Sequence, residues 1–135
     1  MYINGLFQTI RYVEKEDNYY MNEYGDSKGT LVLRIYNFGK RHKYKKGIYH
    51  KFCMFLYNLL NRLIVIGLFN TELHISENIS GKIKIYHPYG IIINLDAIIK
   101  DGVTIRHQVT IGNKGEGSEE CPIIEENVDI GAGAK

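Results

Sequence analysis

The sequence predicts a mainly β protein, a parallel β-helix of hexapeptide repeats that follows an α-helical amino-terminal segment. Three observations predict this fold class. An aliphatic residue recurs every six positions from Ile75 onward, no helical pattern of useful length interrupts these repeats, and one amphipathic helical pattern precedes them. A chain of 135 residues, with 44% hydrophobic and 24% charged residues, is long enough for one folded unit of this kind.

The repeats can be written as rows of six residues. The rows are ISENIS, GKIKIY, HPYGII, INLDAI, IKDGVT and IRHQVT, followed after a break by IEENVD and IGAGAK. We expect the first and fifth columns of these rows to point inward. The first column holds Ile75, Ile93, Ile99, Ile105, Ile111, Ile124 and Ile130. The fifth column holds Ile79, Ile85, Ile91, Ala97, Val103, Val109, Val128 and Ala134.

A coil of three short strands explains these columns better than flat strands do. In a flat strand the first, third and fifth positions share one side, yet the third position holds Asp101, His107 and Glu126. Three strands wound around a triangular prism place the first and fifth positions inside, and stacked coils satisfy each other's backbone hydrogen bonds. The alternatives are an ordinary sheet or βαβ units, and no helical pattern separates the apolar rows as βαβ units require.

The first half of the chain contains one predicted helix. Residues 1 to about 30 show no sustained period and are expected to be loosely ordered, with no function assigned, and a short apolar stretch follows from Leu31 to Phe38. An amphipathic helix is predicted over about 49–66, ending at Gly67, and we expect it to pack on its own protein or on a neighbouring subunit. Residues 1–70 thus form an amino-terminal segment, and residues 71–135 form the β-helix domain. The apolar stripe of the helix comprises Phe52, Phe55, Leu56, Leu59, Leu60 and Leu63.

The apolar stretch from Phe52 to Phe69 also raises the question of a membrane. Asn58, Asn61 and Arg62 near its centre argue against a spanning helix. Peripheral contact, with the basic residues at 40–46 facing anionic lipid, remains an alternative. Because this basic run is local and the net charge is only +2, no nucleic-acid partner is predicted. Two cysteines in unlike contexts and the lack of a secretory leader favour a reducing, cytoplasmic setting.

The later rows resemble a known family. The segments GIIINLDAIIKDGVTIRHQVTIG and PIIEENVDIGAGAK, together with His87 ahead of them, resemble the hexapeptide-repeat acyltransferases. They look most like serine acetyltransferases and their relatives in surface-polysaccharide gene clusters, over the part of the chain from Glu72 to Lys135. The resemblance implies a left-handed coil, a homotrimer, acetyl-CoA as co-substrate, and transfer of an acetyl group to a hydroxyl of serine or of a sugar.

The same resemblance assigns the catalytic residues. His87 in HPYGI matches the family's general base, and imidazole suits this role because its unperturbed pKa is about 6.5. Glu72, fifteen residues earlier, matches the carboxylate that orients the base. The alternatives are that His87, in a column otherwise filled by Ile, is a core or capping residue, and that Glu72 is merely exposed.

The resemblance also places the two substrates. A loop from Gly112 to Cys121, with further glycines at 115 and 117, matches the loop near the acceptor and coenzyme sites, although it could be an inert excursion. Tyr86 and Tyr89 could pack on a sugar ring, and His107 could line the cleft. The residues expected along the coenzyme are Gly112, Asn113, Gly131, Ala132, Gly133 and Lys135, the last of which would meet a phosphate.

Three departures from the family pattern bear on the acceptor. Glu120 and Cys121 stand where serine acetyltransferases have an Arg-His pair, and Tyr86 stands where they have Asp. These changes weaken the case for serine and make a sugar hydroxyl at least as plausible. No basic or histidine neighbour marks Cys121 as an acyl-carrying thiol, and no histidine has metal-ligand spacing, so no metal is predicted.

Two other functions stay open. One is a non-catalytic β-helix that binds a ligand or a partner, and the other is an N-acetyltransferase acting on an amino sugar. The last row, IGAGAK, leads us to expect that the coil is truncated or is capped by a partner.

Overall fold

The structure is a computed structural model, and it describes residues 25–113 and 120–135. Helix α1 spans Ser27–His42, and helix α2 spans Ile48–Leu60 and continues as a π-helical segment, Asn61–Ile66. Short strands follow. They are β1 (Glu72–Leu73), β2 (Lys84–Tyr86), β3 (Ile92–Ile93), β4 (Ile98–Ile99), β5 (Thr104–Arg106), β6 (Thr110–Ile111), β7 (Ile123–Ile124) and β8 (Asp129–Ile130).

The strands form three parallel sheets that the chain visits in turn. Strands β1, β3 and β6 make one sheet, β2, β5 and β8 a second, and β4 and β7 a third. Each return to a sheet pairs equivalent residues in register, so that Ile105 lies between Ile85 and Ile130. The backbone therefore winds as a parallel β-helix behind a helical amino-terminal part, which confirms the coarse fold that the rows predict.

The interior of the coil is filled by the predicted columns. Among the described residues, Ile79, Ile91, Ala97, Val103 and Val109 have no exposed surface. Burial of each Val or Ile of this kind stabilises the fold by roughly 1.5–3 kcal/mol relative to exposure. In the last coil the column residues are only partly covered, because no described coil packs on them. These residues are Ile124, Val128, Ile130 and Ala134.

The prediction of an unbroken six-residue register is wrong at His87. Ile85 and Ile93 are eight positions apart, whereas their partners one coil further on, Ile105 and Ile111, are six apart. Two extra residues therefore lie in the corner between β2 and β3. In the preceding row, GKIKIY, the buried Ile83 takes an inward position. The side chain of His87 does not enter the interior with the first-column isoleucines and is exposed.

Helix α1 is an element that sequence reasoning missed. The sequence predicts a loose segment and a short apolar stretch here, whereas the structure has one helix that contains Gly29 and Gly39. Both glycines are required by packing. A Cβ on Gly29 would overlap the Ile85 carbonyl group, and a Cβ on Gly39 would overlap the Tyr57 ring. Close approach of α1 to the coil and to α2 thus outweighs the low helix propensity of glycine.

Helix α2 lies where the sequence predicts a helix, but its apolar stripe faces outward except for Leu60, which packs against the core. The side that packs on α1 and the coil instead carries Cys53, Tyr57 and Val65. Because the helix is apolar on nearly every side, the spacing of its apolar residues does not show which face is buried. The exposed side is here named the α2 apolar face. It comprises Ile48, Tyr49, Phe52, Phe55, Leu56, Leu59, Leu63, Ile66 and Leu68.

None of the helices within the described ranges is both long enough and apolar enough to cross a membrane.

Candidate active site

The long corner between β2 and β3 presents His87 to solvent. Its backbone has φ 54°, in the left-handed region, where histidine is among the more tolerated residues. Gly90, with φ 66°, completes the corner, and the Tyr89 N–H donates to the His87 carbonyl oxygen at 2.6 Å. The His87 side chain is 65% exposed. The structure therefore contradicts the alternative of a core histidine.

The carboxylate that contacts the imidazole belongs to Asp26. Its Oδ2 lies 3.0 Å from His87 Nδ1 and accepts the His87 backbone N–H at 2.8 Å. Its Oδ1 accepts the Gly29 N–H at 2.7 Å and so caps helix α1. One carboxylate thus fixes the helix end and the histidine together. With Nδ1–H donated to Asp26, the neutral ring keeps its lone pair on Nε2 for a substrate.

Glu72 does not occupy the orienting position that the sequence predicts for it. It lies on β1, on the sheet of β1, β3 and β6, where it pairs with Ile92 and its side chain is exposed. Across the described ranges, no hydrogen bond or ion pair joins it to His87. The carboxylate that the structure pairs with His87 is therefore Asp26, which the sequence analysis did not name. The signal for Asp26 was available, since Asp is a preferred residue directly before a helix.

Two further aromatic residues flank His87. Lys28 Nζ donates to Tyr89 Oη at 2.6 Å, and this hydrogen bond raises the pKa of Lys28 above its usual value. The half-buried Tyr86 lies under the Arg106 guanidinium, whose carbon is 5.9 Å from the ring centroid. Lys28 was not identified from the sequence. It ties the start of α1 to the corner, as Asp26 does.

His107 lies one coil further along the same edge of the prism. Its ring meets that of His87 edge-on, with centroids 6.1 Å apart. Its Nδ1 is buried and has no hydrogen-bond partner among the described residues. Buried polar atoms without a partner are uncommon and often belong to functional sites. The structure thus brings together the two histidines that the sequence singled out.

The row IGAGAK continues this edge. The Gly133 N–H donates to the His107 carbonyl oxygen at 3.0 Å. Lys135 Nζ donates to the Gln108 carbonyl oxygen at 3.2 Å and to Thr110 Oγ1 at 2.8 Å. Around Gly131 and Gly133, nothing lies within 4 Å of the position that a Cβ would take. The described residues leave this side of the row uncovered.

Three predicted site residues lie at another edge of the prism. Gly112 and Asn113 follow β6, and Cys121 precedes β7. All three stand where the chain passes from the sheet of β1, β3 and β6 to that of β4 and β7, whereas His87 stands between the sheet of β2 and that of β3. A surface cavity of about 350 Å³ between the edges is lined by Glu72, Thr110 and Gly112, among others. A single chain therefore does not bring these residues to His87. The predicted loop glycines at 115 and 117 lie outside the described residues.

Comparison with known proteins finds sequence similarity to acetyltransferases. The chain is 38% identical over 74 residues to the Escherichia coli K12 protein named colanic acid biosynthesis acetyltransferase WcaB, a match that covers 55% of this chain and 46% of that protein. It is 42% identical over 69 residues to the serine acetyltransferase of Buchnera aphidicola, covering 50% and 26%. The serine acetyltransferase of E. coli K12 is 38% identical over 68 residues, covering 50% and 25%.

The chain is similar to bacterial acetyltransferases. This finding confirms the resemblance to the serine acetyltransferase branch and to acetyltransferases of polysaccharide biosynthesis. The chain spans less than half the length of the curated relatives it matches. No family model and no solved structure matches it. Within residues 25–113 and 120–135, no group of three His, Cys, Asp or Glu residues could hold a metal ion.

Proposed function

We propose that the protein is an acetyl-CoA-dependent O-acetyltransferase with His87 as its general base. The observation that carries the proposal is an exposed imidazole, held at Nδ1 by Asp26, in a chain similar to acetyltransferases. His87 Nε2 takes the proton of an acceptor hydroxyl, and the oxygen attacks the thioester carbonyl carbon. The tetrahedral intermediate then collapses, and the imidazolium gives its proton to the leaving thiolate of coenzyme A.

Asp26 supports both proton transfers. As an ionised carboxylate, it holds the ring in the tautomer that presents Nε2 and stabilises the imidazolium that forms. Since the same side chain caps α1, the helix positions the base. Asp26 is here a positioning residue, and His87 is the catalytic one.

Coenzyme A would run along the open side of the IGAGAK row. Small residues at Gly131, Ala132 and Gly133 let backbone groups approach the pantetheine arm, and the ammonium group of Lys135 would meet a phosphate. His107, one coil from His87, would line the reaction cleft. Tyr86 and Tyr89 beside the base favour a sugar ring as the acceptor.

A homotrimer would complete this site. Gly112, Asn113 and Cys121 lie at a different edge of the prism from His87. Three copies packed side by side would place that edge of one subunit against the His87 edge of its neighbour. The left hand of the coil belongs to the same proposal and depends on the resemblance. The division at residue 70 and a cytoplasmic location are also part of it, and they depend on the sequence pattern and on the cysteines.

The function is tested by release of free thiol from acetyl-CoA in the presence of hydroxyl acceptors. The panel contains serine, simple sugars, nucleotide sugars and an amino sugar, with mass analysis of each product. We expect thiol release that requires an acceptor, with a sugar O-acetyl product. Serine as the better acceptor would correct the substrate, and an N-acetyl product would correct the reaction. Binding of acetyl-CoA without transfer to any acceptor would favour the non-catalytic alternative.

A further inference from the structure

The α2 apolar face is a feature of the described molecule that acetyl transfer does not use. Ile48 is 85% exposed, and Phe52 and Phe55 are about two-thirds exposed. Single exposed apolar residues are ordinary, but a contiguous stripe of this size marks an interaction surface. Something apolar is expected to cover it.

The charge of the helical layer identifies the kind of partner. From Ser27 to Thr71 the sequence has nine lysines and arginines and no aspartate or glutamate. The residues from Glu72 to Lys135 have six basic and ten acidic residues. A chain with a small net charge is thus strongly divided, and its positive part is the part that exposes the apolar face.

The basic residues border the apolar face. Lys45 and Lys46 directly precede α2 and are exposed. At helical spacing, Lys51 lies beside Ile48 and Phe55 along one margin of the face, and Arg62 follows further along the same margin. Long basic side chains in this position can lay their aliphatic stems on an apolar surface while the charge reaches outward.

We propose that the α2 apolar face docks on a membrane surface that contains anionic lipid. Helix α2 would lie in the plane of the interface, with its aromatic and aliphatic side chains among the acyl chains and its basic margin at the phosphate groups. A symmetric contact between two copies of this face would instead bring Lys45, Lys46 and Lys51 against like charges. Peripheral attachment is also consistent with the lack of a spanning helix within the described ranges.

The test is flotation of the full chain with vesicles. One set is phosphatidylcholine alone, and the other contains about 30 mol% phosphatidylglycerol. We expect binding to the anionic vesicles that is at least about tenfold tighter than to the neutral ones and that weakens with added salt.

Matched variants assign the binding to this face. Phe52→Ser with Phe55→Ser should weaken binding at least about 30-fold. Lys45→Gln with Lys46→Gln should weaken it by roughly fivefold for each lysine removed. Two control variants carry the same kinds of change on the coil and should bind like the wild type. Leu95→Ser with Ile123→Ser matches the phenylalanine variant, and Lys82→Gln with Lys100→Gln matches the lysine variant.

Three results would overturn the proposal. In the first, the wild-type protein floats with neither set of vesicles. In the second, both α2 variants bind the vesicles as tightly as the wild type. In the third, light scattering shows that the wild type is an oligomer and that the variant with Phe52 and Phe55 replaced is dissociated. The last result would make the face a subunit interface. Each can be told apart from a failure of acetyl transfer, because thiol release is measured without vesicles.

Discussion

At the scale of single residues, the account depends on how Asp26 and His87 meet. Asp26 serves the helix through one carboxylate oxygen and the imidazole through the other. The sequence identified His87 through its resemblance to the general base of the hexapeptide-repeat acyltransferases. It did not identify Asp26, because the two residues are 61 positions apart and no local spacing joins them.

The first prediction compares the two candidate carboxylates. Asp26→Asn should lower kcat by about 10- to 100-fold, because an amide can stabilise neither the required tautomer nor the imidazolium. The KM for acetyl-CoA should change little. Asp101→Asn, at an exposed ion pair on the coil, is the control. A larger loss in Glu72→Gln than in Asp26→Asn would restore Glu72 as the orienting residue.

At the scale of elements, the main feature is the docking of α1 on the coil. Tyr36 is almost fully buried, and its hydroxyl lies within hydrogen-bond distance of two carbonyl oxygens, those of Ser76 at 3.2 Å and Ile79 at 3.0 Å. The hydrogen bond that this hydroxyl donates therefore links α1 to the coil. Tyr57 of α2 is buried against α1 in the same core.

The second prediction concerns alkaline unfolding. Burial raises the pKa of Tyr36 to about 12, and burial likewise raises that of Tyr57 to about 12. The unfolded chain loses these protons near pH 10, so the native state binds more protons above that pH. The stability that these hydroxyls contribute is complete below about pH 10 and is lost as the pH rises towards about 12.

Urea unfolding at several pH values measures this effect. Tyr36→Phe with Tyr57→Phe should flatten the fall in unfolding free energy over this range. Tyr44→Phe, which changes an exposed ring, should leave the slope as in the wild type. Equal slopes in all three proteins would show that the buried tyrosines do not govern alkaline unfolding.

At the scale of the whole molecule, the stacked coils share one hydrophobic core. Ile85, Ile105 and Ile130 lie in register on successive coils, and the other interior positions stack in the same way. Each coil covers its neighbours, so stability is expected to accumulate along the stack.

The third prediction tests this stacking. Ile105→Ala should lower the free energy of unfolding by about 2–5 kcal/mol, because the coils on both sides prevent collapse of the cavity. Ile92→Ala, at an outward position on β3 in another sheet, should cost less than about 1 kcal/mol. Similar losses for the two variants in urea unfolding would contradict the assignment of inside and outside.

The parts of the molecule differ in how far the sequence predicts them. The coil was predictable because a six-residue period repeats the same inward positions many times. The corner at His87 was not, since a two-residue insertion leaves aliphatic residues in plausible columns. Only the pairings of Ile85 with Ile105 and of Ile93 with Ile111 reveal it. Helix α1 and the buried side of α2 depend on contacts with the coil, such as that of Gly29 with Ile85, which no local pattern contains.

The central claim is that the imidazole of His87 removes the acceptor proton, and the kinetics of His87→Ala test it most directly. Thiol release at saturating acetyl-CoA should fall in kcat by on the order of 10² to 10⁴, with little change in the KM for acetyl-CoA. His74→Ala, which removes an exposed histidine beside β1, should retain wild-type turnover. Turnover by His87→Ala at the wild-type rate would contradict the account.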